Sequence, residues 1–139
     1  MIPRTLALTC GFAGALLSCT HSVGNATAMD ASTEAEAGAS TVMVRVGPLG
    51  AHSFLPPTVT VPVGTTVQWF WVSAGHTVTS GPGGVADGLF CSPGDVDCAA
   101  GVTSDIGTVY EHTFDTPGTY PYFCVPHYSV GMKGTIVVQ

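Results

Sequence analysis

The sequence has few basic residues. Lys and Arg total three among 139 residues, against nine Asp and Glu, and the formal net charge is −6. Proteins that bind nucleic acid neutralise its phosphates with Lys and Arg, so we expect no nucleic-acid partner. The acidic balance does not by itself identify any other partner, because it also serves solubility.

Long helical and long apolar patterns are missing as well. No extended stretch repeats its apolar residues with the helical period, and no apolar run reaches the roughly 20 residues that a membrane-spanning helix needs. Gly and Pro are frequent instead, with 18 and 10 copies. This composition is typical of short strands joined by turns, and it predicts one all-β domain with a modest core.

The N-terminus has the pattern of an export signal over residues 1–19. Arg4 supplies the positive start, and residues 6–17 form a short apolar core. The segment ends in Leu16-Leu17-Ser18-Cys19, which resembles a bacterial lipobox, where the Cys receives diacylglycerol. We therefore expect an exported protein on the periplasmic or outer-surface side, attached to the membrane through lipidated Cys19. Simple cleavage near Ala28, without a lipid, is the alternative.

Residues 20–40 separate this leader from the rest of the chain. They are rich in Ala, Ser, Thr, Gly and Glu and contain almost no large apolar side chain. Such a segment cannot bury enough surface to order itself, so we interpret it as a flexible linker. The folded domain is then expected over residues 41–139.

Alternating apolar residues predict the strands of this domain. The expected strands are residues 41–46, 58–61, 65–72, 107–114, 119–124 and 134–139. Trp69 and Trp71 should share the core face of one strand, with Phe70 on the other face. Tyr120, just after the Pro117-Gly118 turn, is placed to form a tyrosine corner.

Two cysteines frame a Pro-Gly turn inside a long, Gly-rich loop at residues 81–101. They are Cys91 and Cys98. In an exported protein such a pair predicts a local disulfide. A zinc site is disfavoured, because no His or third Cys follows at zinc-site spacing.

A cluster of sulfur and nitrogen donors lies near the C-terminus. Cys124, His127 and Met132 fall within nine residues, between two predicted strands. A thiolate, imidazoles and a weak thioether suit a copper ion that takes either oxidation state. Considered alone, Cys124 would be a free thiol or an intermolecular partner, and Met132 would be a core filler.

The second imidazole is expected from His76, in Gly75-His76-Thr77. This His follows the Trp-rich strand, at a strand end that can face the C-terminal loop. His52 lies in an early loop, where a surface role is the simpler interpretation. His112 lies in the middle of a strand, where a solvated or edge position is simpler.

The pattern Cys-x2-His-x4-Met, closing a β-domain with a His far upstream, resembles the cupredoxin family over residues 41–139. The runs at 116–127 and 131–138 look most like its plastocyanin and pseudoazurin members. The resemblance implies a Greek-key β-sandwich with one type 1 copper ion bound by His76, Cys124, His127 and Met132. Many relatives carry Asn or Ser after the first His. Thr77 stands there in this chain, with a hydroxyl placed to tie the two ligand loops together.

The resemblance also implies a function. It indicates a one-electron carrier that meets redox partner proteins through a surface around His127, without a small-molecule substrate. The expected apolar rim of that surface comprises Pro126, Tyr128, Val130 and, from the early loop, Leu49 and Phe54, although Phe54 is alternatively a plug for the core.

No enzyme is expected, because the sequence shows no catalytic triad motif, no phosphate loop and no His-x-His pair for a second copper centre. The alternative function is copper storage or delivery, which usually needs exposed, exchangeable ligands rich in Met or His.

Overall fold

The structure is a computed structural model, which describes residues 40–139. The predicted signal segment 1–19, Cys19 and the predicted linker up to residue 39 lie outside the described residues. The described part contains eight strands: β1 (Thr41–Val46), β2 (Phe54–Leu55), β3 (Thr58–Val61), β4 (Thr65–Trp71), β5 (Thr79–Ser80), β6 (Val109–Phe114), β7 (Gly118–Phe123) and β8 (Lys133–Val138). Short 3-10 turns occur at Pro48–Gly50, Pro82–Gly84, Cys98–Ala100 and Tyr128–Val130.

The strands form two four-stranded sheets, in the orders β2-β1-β4-β6 and β3-β8-β7-β5. Each sheet is mixed, because β1 is parallel to β4 and β3 is parallel to β8, whereas the other pairs are antiparallel. The predicted all-β sandwich is confirmed. Among residues 40–139 we find no helix with the length and apolar character required to cross a membrane.

The core lies between the sheets and centres on β4. Val67, Trp69 and Trp71 are fully buried on one face, whereas Phe70 on the other face is half-buried, as the alternation predicts. Phe54 is also buried and packs on Tyr122, with ring centroids 4.7 Å apart. Its interpretation as a core plug is confirmed, and its predicted place in an exposed rim is wrong.

The long 81–101 loop is anchored in this core. Phe90 is fully buried and stacks on Trp69, with ring centroids 5.6 Å apart. The predicted Cys91–Cys98 disulfide is confirmed. The Asp95 carboxylate accepts hydrogen bonds from the Tyr110 hydroxyl at 2.5 Å and from the Cys91 backbone N–H at 2.7 Å.

Two further features organise the ends of the sandwich. The Tyr120 hydroxyl donates to the Thr116 carbonyl at 2.8 Å, which confirms the predicted tyrosine corner. Parallel pairing of β1 with β4 places Val46 beside Trp71, at the last residue of each strand. The loop that follows β1 therefore emerges next to the loop that carries His76.

Candidate metal centre

Three donor atoms converge where these loops meet. Nδ1 of His76 lies 3.1 Å from Nδ1 of His127, and Sγ of Cys124 lies 3.3 Å from His127 Nδ1 and 3.8 Å from His76 Nδ1. A trigonal ion about 2.0 Å from nitrogen and about 2.3 Å from sulfur, as zinc binds them, would hold such donors roughly 3.5–3.7 Å apart. The triangle has the right size for one metal ion.

The C-terminal loop places Cys124, His127 and Met132 through its own backbone. The Cys124 N–H donates to the Met132 carbonyl at 3.1 Å, and the Met132 N–H donates to the His127 carbonyl at 3.1 Å. The His127 N–H donates back to the Cys124 carbonyl at 3.2 Å. Cys124 and Met132 are fully buried, and His127 is half-buried. Of the two predicted imidazole ligands, only His127 therefore reaches the surface, and in the loop it lies between the buried Cys124 and Met132.

His76 is held by one local and one long-range hydrogen bond to its backbone. Its carbonyl accepts hydrogen bonds from the Trp71 indole N–H and from the Ser104 backbone N–H, both at 3.0 Å. Its side chain is almost completely buried. The backbone that carries the ring is therefore fixed by two hydrogen bonds.

A serine determines the tautomer of His76. The Ser73 hydroxyl donates its proton to the Gly47 carbonyl at 2.8 Å, and its oxygen lies 3.1 Å from His76 Nε2. Since the hydroxyl has only one proton, Nε2 must be the donor in the second bond. Nδ1 then carries the lone pair that faces Cys124, as a metal ligand requires.

Thr77 joins the two ligand loops. Its backbone N–H donates to Cys124 Sγ at 3.3 Å, and its hydroxyl oxygen accepts from the Val125 N–H at 2.8 Å. The predicted tie through the Thr77 hydroxyl is confirmed. A hydrogen bond to the sulfur is one of the factors that adjust the redox potential of such a site.

Burial shifts the titration of all three converging groups. It lowers the pKa of His76, which neighbouring His127 and His52 lower further, and it lowers the pKa of His127, with His52 as the second cause. Both shifts favour the neutral imidazole, in which one ring nitrogen keeps a free lone pair. Burial raises the pKa of the Cys124 thiol, although the Thr77 N–H opposes this shift, so a metal must displace that proton on binding.

Other predicted positions agree only in part. Leu49, Pro126 and Val130 are exposed, as expected for a rim, whereas Tyr128 is half-buried and packs on Phe123 with ring centroids 5.4 Å apart. His112 lies on β6, which is an edge strand as expected.

Sequence reasoning missed two residues of the site. No sequence pattern points to Ser73, and the sequence predicts only a surface loop for His52, yet the His52 ring stacks on His127 with centroids 3.9 Å apart. Both contacts depend on the β1–β4 pairing, and no local pattern signals them.

Comparison with known proteins identifies this arrangement. Residues 41–139 match the family described as copper binding proteins, plastocyanin/azurin family. The chain is 39% identical over 92 residues to plastocyanin from Scenedesmus fuscus, covering 65% of this chain and 90% of that protein.

Solved structures give the same result. The oxidised form of plastocyanin from Dryopteris crassirhizoma matches with a TM-score of 0.52 and 28% identity, over 70% of this chain and all of that one. A purple cupredoxin from Nitrosopumilus maritimus matches with a TM-score of 0.53 and 27% identity, over 72% of this chain and 99% of that one.

The predicted copper cofactor is confirmed by this family and by the donors, since His76, Cys124, His127 and Met132 are arranged as a type 1 copper site. The chain belongs to the plastocyanin/azurin family of copper-binding proteins.

Proposed function

We propose that this protein is a one-electron carrier in which His76, Cys124, His127 and Met132 ligate the copper. The observation that carries the proposal is the convergence of two imidazole nitrogens and a thiol sulfur in a site already held by hydrogen bonds. Copper, when bound, supplies a one-electron couple between Cu(I) and Cu(II).

The residues around the donors keep them in one arrangement. Ser73, Trp71 and Ser104 hold His76, and the backbone of the 124–132 loop holds the other three. A site that need not rearrange between two charge states keeps the cost of electron transfer low, in the same way that preorganised groups lower other reaction barriers.

Electron exchange with redox partner proteins would take place around His127. It is the half-buried member of the ligand set, and exposed apolar side chains at Leu49, Pro126 and Val130 belong to the loops that bring the ligands together. Redox encounters of this kind are weak and bury less than about 1,200 Å², which suits rapid turnover. A rim of apolar side chains suits a short-lived encounter, because charged side chains in the rim would have to lose their hydration water each time a partner binds.

The experiment is copper titration of the purified protein, with Cys124→Ser as the main variant. We expect an intense visible charge-transfer band that ferricyanide and ascorbate switch on and off, and we expect Cys124→Ser to lose it while the fold remains. Met132→Leu should alter the band, and Met43→Leu, a matched change at an exposed Met on β1, should not. An unchanged spectrum for Cys124→Ser would remove that residue from the site.

Storage or delivery of copper is the competing function. A weak or absent band, together with rapid loss of copper to a chelator, would favour it. The burial of Cys124, His76 and Met132 supports a carrier instead, because a delivery site needs ligands that exchange readily.

We also propose export and membrane attachment, supported by the signal pattern of residues 1–19 and the lipobox-like Leu16-Leu17-Ser18-Cys19. The linker would let a tethered domain move between partners. Partition of the full chain into detergent, abolished by Cys19→Ser, is the expected result. If the full chain stayed in the aqueous phase, the proposed lipid anchor would be contradicted, but the proposed copper site would not.

A further inference from the structure

An imidazole outside the ligand set lies flat on His127. The ring of His52 stacks on that of His127, with centroids 3.9 Å apart and an angle of 12° between the planes. His52 meets His76 only edge-on, at 5.8 Å and 68°. His52 is exposed and His127 is half-buried, so His52 is the outer ring of the pair.

The stacked geometry excludes His52 as a further metal ligand. The lone pair of an imidazole nitrogen lies in the plane of its ring. Two parallel rings therefore direct their lone pairs side by side, and one ion cannot accept both. The set of converging donor atoms accordingly comprises His76, Cys124 and His127, without His52. His52 acts on His127 through the face of its ring.

The loop that presents His52 is held in shape by its own backbone. The Gly47 N–H donates to the Ser53 carbonyl at 3.0 Å, and the Ala51 N–H donates to the Pro48 carbonyl at 3.0 Å. The Gly47 carbonyl also accepts from the Ser73 hydroxyl, which contacts His76. An exposed ring on such a loop keeps its position without being buried.

We propose that His52 is a positioning residue that fixes the plane of the His127 ring and forms the outermost group of the electron route. This inference rests on the proposed electron-transfer function. The flat ring limits rotation of the half-buried imidazole, and it offers an aromatic surface where another protein would make contact. The partner it fits is a redox protein whose cofactor edge lies in an apolar surface, since Leu49 in the same loop is fully exposed.

Self-exchange between two copies of the protein tests this route without an identified partner. One copy loses one electron, the other gains it, and no bond or proton changes place, so charge and atoms balance. The rate is measured from NMR line broadening in mixtures of oxidised and reduced protein.

The informative variants are His52→Leu, which removes the ring, and His52→Phe, which keeps a flat ring without nitrogen atoms. His112→Leu is the matched control, because it removes a half-buried imidazole from β6, outside the site. A second measurement uses the metal-free protein, in which the stacked ring shifts the NMR signals of the His127 ring protons upfield.

We expect His52→Leu to slow self-exchange by about two- to tenfold, the factor that corresponds to loss of one aromatic pair. The same variant should move the His127 ring signals downfield in the metal-free protein. His52→Phe should restore both readings, and His112→Leu should change neither.

The inference would be overturned if the His52→Leu protein exchanged electrons at the wild-type rate. It would also be overturned if the His52→Phe protein exchanged electrons as slowly as the His52→Leu protein. Either result, obtained with a normal visible band, leaves the proposed carrier function standing. Absence of a reversible band in the wild-type protein would be a failure of that function instead.

Discussion

The two histidines of the copper site are supported in different ways. His76 is buried, and its backbone and ring are held by hydrogen bonds to Trp71, Ser73 and Ser104. Ser104 is distant in the sequence, and Ser73 is itself bonded to the carbonyl of distant Gly47. His127 is half-buried, and only a local turn and an exposed neighbouring ring hold it.

The difference separates two tasks. The His76 side determines where the donors stand, because moving it disturbs hydrogen bonds that reach across the domain. The His127 side carries the proposed contact surface, and its local turn depends less on the rest of the fold. Changes on the His76 side should therefore reduce stability and copper affinity, and changes on the His127 side should reduce the exchange rate.

The largest effect is expected at Gly47. Its φ is +67°, and an added Cβ would overlap Ser73 Oγ and lie 2.6 Å from His76 Nε2. We expect Gly47→Ala to lower the free energy of unfolding by about 2–5 kcal/mol, combining left-handed strain with overpacking. It should also weaken the visible band of the copper form.

Gly50→Ala is the control for this variant. Gly50 has a similar φ of +75°, but an added Cβ meets nothing within 4 Å. It should cost only the backbone strain, about 1–2 kcal/mol, and leave the band unchanged. Denaturant unfolding of the metal-free proteins measures both, and equal costs would show that the contact with His76 is unimportant.

The elements that local patterns encode were predicted well. β1 and β3 have the expected bounds, and β6 begins two residues later than expected, at Val109. Cys124, His127 and Met132 could be recognised together because they lie in one short loop. Side-chain alternation and donor spacing are properties of neighbouring residues, and these a single sequence displays directly.

Contacts between distant loops were not predictable in the same way. His52 was correctly expected at the surface, but its stacking on His127 depends on how β1 pairs with β4. Ser73 acquires its role only when the Gly47 carbonyl lies beside it. The burial of Phe90 from the long Gly-rich loop likewise needs the open core beside Trp69, which no local period indicates.

The next-largest effect, a loss of copper affinity, is expected from Ser73→Ala, which is also on the His76 side. The change removes the acceptor of the His76 Nε2–H, so the ring is free to adopt the other tautomer or to turn. Loss of a hydrogen bond that orients a metal ligand typically lowers metal affinity about ten- to hundredfold, and we expect a loss of that size in competition titrations with a chelator.

Ser129→Ala makes the same chemical change on the His127 side. Ser129 is an exposed residue of the 124–132 loop, and its replacement should leave copper affinity unaltered. Nitrogen NMR of the metal-free protein adds a direct reading, since His76 should show one tautomer in the wild type and a mixture in Ser73→Ala. Equal affinities for the two variants would remove the distinction between the two sides.

The smallest effect on stability, and the clearest on exchange, is expected from Val130→Ser. Val130 is 64% exposed in the turn after His127, so the free energy of unfolding should change by no more than about 0.5 kcal/mol, and the visible band should stay the same. Self-exchange should slow, because an apolar contact beside His127 is replaced by a hydroxyl that must be desolvated. Val63→Ser is the control, because Val63 is exposed in the turn that precedes β4, at the end of that strand away from His76. It should leave the self-exchange rate unchanged. A Val130→Ser protein that exchanges electrons at the wild-type rate would place the contact surface elsewhere, and the half-exposure of His127 would then need another explanation.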